Sequence, residues 1–132
     1  MTTPSLRTRY LADSVSTASP ARLLLMLYDR LLLDLDHAED ALRGQDREAA
    51  NGRLHSAQAI IMELRTSLDV SAWDGAPALA ALYGYLLTEL IGAAVQADAD
   101  RTATCKRLVE PLRDAWREAV LAEAGAAHAK SA

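Results

Sequence analysis

Four leucine- and alanine-rich seams constrain this chain more than any other feature of it. In the first, Leu24, Tyr28, Leu31, Leu35, Ala38 and Leu42 recur at alternating steps of four and three residues. That spacing returns each side chain to one side of an α-helix and leaves no reading as a strand. Ser19-Pro20 opens this helix, with Ser as cap and Pro preset for the first helical position. Gly44 closes it, and Asp46 can cap the next helix. The second seam is Ala50, Leu54, Ala57, Ile61, Leu64 and Leu68. After the irregular DVSAWDGAP comes a third, Leu79, Leu82, Leu86, Leu90, Ala93 and Ala97, with Tyr83 beside it. Asp98 or Asp100 can cap a fourth helix, whose seam is Cys105, Val109, Leu112, Trp116 and Ala119. Pro111 falls inside that helix, removes a backbone hydrogen bond and should interrupt or kink it.

Short connections favour antiparallel neighbours. The expected fold is therefore all-α, an antiparallel four-helix bundle with an extended N-terminal segment packed across it. Composition agrees: 51% of the 132 residues are hydrophobic, with only 6 Gly and 4 Pro. We divide the chain into an N-terminal segment at 1–18, a possible lid that is partly flexible. The bundle follows at 19–124, with a disordered tail at 125–132.

A net charge of -4 repels a phosphate backbone, so nucleic acid is not expected as a partner. The single cysteine, Cys105, allows no internal disulfide and no cysteine-based metal site. No secretory signal is legible at the N-terminus. The stretch from Ala76 to Ala97 has about the length of a membrane span, but Glu89 and Gln96 lie within it, and a buried helix is the better reading. A soluble cytoplasmic protein without membrane insertion is expected.

The first helix, SPARLLLMLYDRLLLDLDHA, carries leucines nearly all the way round. With Leu24 at the centre of the seam, Leu25 and Leu32 project about a quarter turn away at roughly 100° per residue. Met26 and Leu33 point nearly opposite the core. On the third helix Leu87 sits to one side and Ile91 and Val95 lie round the back, while Ile60 and Met62 flank the second seam. Three readings are open for this surplus: burial on several sides, self-association, or a groove for another chain. Leu6, Tyr10, Leu11 and Val15 could fold back and cover part of it.

Constellations for chemistry are weak. Asp34-x-x-His37 has the spacing of one arm of a carboxylate-bridged metal site, but no second arm exists, and both residues fall away from the seam toward solvent. His55 reads as a partly covered helix residue, Cys105 as a small core residue, and no glycine-rich phosphate loop is present. Neither an enzyme nor a cofactor is expected.

Read in order, the punctuation of the chain resembles the flagellin export chaperone family, FliS. The residues that carry the likeness are Tyr10, Val15, Thr17-Ala18-Ser19-Pro20, Leu23 and Met26-Leu27-Tyr28-Asp29. They continue with Ala50-Asn51, Ala57-Gln58, Ile60-Ile61, Glu63-Leu64 and Ser67-Leu68-Asp69. Then come Leu82-Tyr83, Tyr85, Leu90, Ala93, Leu112-Arg113 and Ala115-Trp116, so that the likeness spans about residues 10 to 120. The chain departs from the family's pattern at Gly84, Ala94 and Pro111.

The resemblance implies a small cytosolic bundle without enzymatic activity. It would bind the C-terminal segment of flagellin, disordered before assembly, as an extended wrap, blocking premature polymerisation and delivering the subunit to the export apparatus. Export-gate components are further candidate partners, and the free protein would be a monomer or weak dimer. It also implies an N-terminal tyrosine segment lying over part of the binding surface. The candidate client-binding residues are Tyr10, Val15, Leu25, Tyr28, Leu32, Ile60, Tyr83, Leu87 and Ile91. The rival reading is a self-associating scaffold without a client.

Overall fold

The computed structural model describes residues 19–131. Four helices follow one another: α1 (Pro20–Arg43), α2 (Arg47–Ser67), α3 (Ala76–Gln96) and α4 (Ala99–Ser131). Each packs against its two neighbours around a ring, α1 on α2, α2 on α3, α3 on α4 and α4 back on α1.

The caps fall where the sequence places them. Ser19 Oγ accepts from Arg22 N–H at 3.2 Å, Asp46 from Ala49 N–H at 3.2 Å, and Asp98 from Arg101 N–H at 3.0 Å. Each satisfies one of the free amides of a first turn. The reversal after α1 differs in detail from expectation. Gly44 keeps an ordinary φ of -85°, and Gln45 takes the left-handed conformation at φ 61°. Asp46 N–H then bonds Ala41 C=O at 2.8 Å and Gln45 N–H bonds Leu42 C=O at 3.1 Å. α3 ends in the same way on Ala97, at φ 51°.

The seams meet in one core. Tyr28, Leu31, Leu35, Leu54, Ile61, Leu64, Leu86, Leu90 and Val109 are its largest sealed members, with Ala38, Ala50, Ala57 and Cys105 between them. Leu24, Leu68, Leu79, Leu82, Leu112 and Trp116, toward one end, are only partly covered. Ala97, expected on the third seam, is exposed because it forms the turn out of α3.

Ion pairs set the antiparallel register of α1 against α4. Asp29 meets Arg113 at 3.5 Å, Asp36 meets Lys106 at 2.6 Å and Arg43 meets Asp100 at 3.2 Å. Such surface pairs add little stability each, but they favour one alignment over a slipped one. Arg47 plays the same part between α2 and α3, donating to Val95 C=O at 2.6 Å.

Three expectations are corrected here. Asp34 does not face solvent but is fully buried. It lies on the flank of α1 that α2 covers, where Arg53 donates to it at 3.1 Å and the Ser56 hydroxyl at 2.5 Å. A carboxylate tolerates burial when its oxygens are so engaged. His37, three residues on, is half-buried. Pro111 does not interrupt α4. It sits on the exposed face, and packing of Val109 on one side and Leu112 and Trp116 on the other carries the helix across the lost bond. α4 also continues past Gly125, where a frayed tail was expected, to Ser131.

Two stability effects follow, both measurable by urea denaturation. Asp34→Ala lowers the unfolding free energy by about 2 kcal/mol, the scale of hydrogen bonds to a charged group. A loss below about 0.5 kcal/mol, the level of neutral surface changes, contradicts the anchor. Ala97→Gly raises stability by about 1 kcal/mol, because glycine reaches the left-handed turn without a Cβ penalty.

Candidate functional site

The surplus apolar surface divides by helix. On α1, Met26 and Leu33 are exposed as their angles predict, and Leu25 is half-buried. Leu32 is buried instead, because α4 covers the flank it projects from. Ile60 is likewise buried, while its companion Met62 is exposed. α3 leaves large apolar side chains in water: Leu87 is half-buried, Ile91 is 51% exposed and Val95 is 69% exposed, with Tyr85 also outward. Gly84 adds a notch to α3, open space lying where a side chain would stand.

By length and composition α3 is apolar enough to cross a membrane, and only 28% of its most apolar stretch is buried in the bundle. Its position argues for the bundle all the same. Glu89 is held by Arg101 of α4 at 2.6 Å, a contact that keeps its carboxyl below the usual range. Gly92 makes room for this pair, since a β-carbon there would overlap the Arg101 guanidinium. Leaving the bundle would break this ion pair and uncover Leu86, Leu90 and Ala93.

Between α3 and α4 runs an apolar furrow with a cavity of about 350 Å³, lined by Leu79, Leu82, Leu112 and Trp116, with Trp73 and Gly75 at its end. No charged side chain lines it. Its floor is fixed from beneath. The Tyr28 and Tyr83 hydroxyls share a buried hydrogen bond, and Trp116 packs against the same core. Burial pushes both phenols above their ordinary range, so they stay protonated as hydrogen-bonding groups. Tyr28 and Tyr83 therefore support the furrow rather than face outward.

A second groove, of about 280 Å³, lies between α1 and α4. Leu32 and Leu33 contribute its apolar part, and Asp29, Asp36, Lys106, Glu110 and Arg113 its charged rim. On α2, Asn51 Oδ1 is buried without a hydrogen-bond partner. Tyr10 and Val15 lie outside the described residues.

The structure thus brings Leu87 and Ile91 together on α3 and puts Tyr28 and Tyr83 beneath the furrow. Leu32 stands in the other groove, with Leu25 on the same flank of α1 and Ile60 buried toward α2. Sequence reasoning missed Trp73, Leu79, Leu82, Leu112 and Trp116 as a surface. The signal was present, since the last four are seam residues that lie toward one end of the bundle, where the core thins out.

Among the described residues no three His, Cys, Asp or Glu side chains gather as metal ligands. Grooves and an apolar face of α3 left in water define a helical bundle with room on its surface for another polypeptide chain. The comparisons agree with that class. Residues 2–123 match the family model described as Flagellar protein FliS. The chain is also 34% identical over 116 residues to the flagellar secretion chaperone FliS of Bacillus subtilis (strain 168), covering 88% of this chain and 86% of that one. The chain belongs to the FliS family, a family of flagellar secretion chaperones.

Burial also pushes the Cys105 thiol up to about 11. In the unfolded chain this thiol and the two phenols ionise near their ordinary values, while the folded protein keeps the protons. The unfolded state then binds fewer protons, so stability falls as pH rises. Urea midpoints should accordingly decline between about pH 9 and 11, and Cys105→Ala should make the decline shallower. A midpoint that rises over this window contradicts the burial of these groups.

Proposed function

We propose that this protein holds the C-terminal segment of flagellin in the bacterial cytoplasm, where that segment is disordered. It keeps the subunit from polymerising early and hands it to the flagellar export apparatus. The observation that carries this reading is the apolar surface that α3 leaves uncovered, together with the separate apolar furrow between α3 and α4. Each large side chain left in water forgoes roughly 1.5–3 kcal/mol of burial, and membership of a secretion-chaperone family supplies the chain that recovers it.

The client binds as short amphipathic helices joined by extended chain, their apolar faces toward the bundle. Ile91, Val95 and Leu87 receive one such face on α3. Leu32 and Leu33, with Leu25 on the same flank, receive another across the α1–α4 groove, whose mixed charges suit a polar connecting stretch. Ordering the client consumes part of the contact energy, which keeps release possible without a nucleotide.

Calorimetry with a C-terminal flagellin peptide from the same organism tests the proposal. We expect binding at tens of micromolar or tighter. Ile91→Asp combined with Val95→Asp should weaken it at least about tenfold while shifting the Tm by less than about 2 °C. Absence of binding overturns the proposal. So does a stable dimer in light scattering that the same two substitutions dissolve, because the surface would then be occupied by a second copy.

A further inference from the structure

The loop between α2 and α3 carries the one large side chain of the furrow that no helix supplies. Residues 69–74 are all exposed. Their hydrogen bonds are local: Ser71 N–H and Oγ–H donate to the Asp69 carboxylate at 2.9 and 2.6 Å, and Ala72 N–H donates to Asp69 C=O at 3.1 Å. Within this loop Trp73 leaves 53% of its surface in water, although its indole forms the end wall of the cavity.

Its seat is specific. The six-membered ring lies over Gly75, where a β-carbon would overlap Cζ3 and come within 2.6 Å of Cε3 and 2.7 Å of Cη2. Gly75 has an ordinary backbone, φ -82° and ψ -10°, so glycine is needed there for space and not for conformation. Trp73 is not a member of the core cluster, and its position does nothing to seal the bundle. The ring is placed where it extends an apolar cavity and is left half uncovered.

We propose that Trp73 is the anchoring residue of the furrow. Seated on Gly75, its indole closes over a large apolar side chain of the docked client and presses it against Leu79, Leu82, Leu112 and Trp116. This rests on the client reading above and assigns its main side-chain contact. The wall formed by Trp116 is held by a long helix and by packing against the core, whereas the wall formed by Trp73 rides on a locally bonded loop. A cavity with one fixed and one adjustable wall accepts leucine, methionine or phenylalanine alike. With no charge in the lining, it rejects a charged residue at the same position. Half-exposed tryptophans that a partner then covers are characteristic binding hot spots.

The test uses the full chain and the same flagellin peptide, by calorimetry. Trp73→Ala should weaken binding at least about tenfold, with Tm unchanged within about 2 °C, since the ring supports no core. Gly75→Ala keeps the indole but removes its seat, and should weaken binding by a similar factor. Trp73→Phe should recover most of the lost affinity. If the wild-type chain binds the peptide and Trp73→Ala binds within about twofold of it, the anchor is wrong and the client reading survives. If the wild-type chain binds no peptide, both fall.

Discussion

A ring of four helices offers one interior, and each helix can present only one stripe to it. That geometric limit governs everything else in this molecule. α2 respects it, with Ala50, Leu54, Ala57, Ile61 and Leu64 inside and mostly polar residues outside. α3 does not. Its core stripe of Tyr83, Leu86, Leu90 and Ala93 is filled, and Ile91, Val95 and Tyr85 remain apolar on the far side. Among the described residues no further element packs over that side, so the excess is left to whatever chain docks there.

Polar interactions decide where the excess sits. The buried contact of Tyr28 with Tyr83 ties α1 to α3 below the furrow, and Trp116 of α4 packs against the same core. Glu89 and Arg101, crossing at Gly92, pin α3 to α4 near the opposite end. Asp34, closed in by Arg53 and Ser56, locks α1 to α2 on the other side of the ring. Because these contacts brace the helices from within, the outer apolar surface can stay in water without the bundle closing upon it. A surface held open in this way meets a disordered chain with little reorganisation of its own, so the ordering cost falls mainly on the client.

Much of this was legible in the residues. The heptad seams located four helices, and Ser19, Asp46 and Asp98 marked their starts because capping chemistry is local. Angles alone placed Met26, Leu33, Ile91 and Val95 outside. They failed on the flanks. Leu32, Ile60 and Asp34 lie to the side of their seams, and whether such a position is covered depends on which neighbour leans over it. Periodicity within one helix carries no information about that. Trp73 was missed for a related reason: its role depends on the space above Gly75, which exists only once the loop and the end of α3 have been brought together. Pro111 shows tertiary packing overriding a local preference, since α4 crosses it without a break.

We propose that flagellin's C-terminal segment lies along the uncovered face of α3 and in the furrow between α3 and α4. Methyl NMR of the protein during titration with that segment tests it most directly. The methyl signals of Ile91, Val95, Leu82 and Leu112 should move while those of Leu31, Leu54 and Ile61 stay in place. Movement of the core methyls with the outer ones unchanged would contradict it.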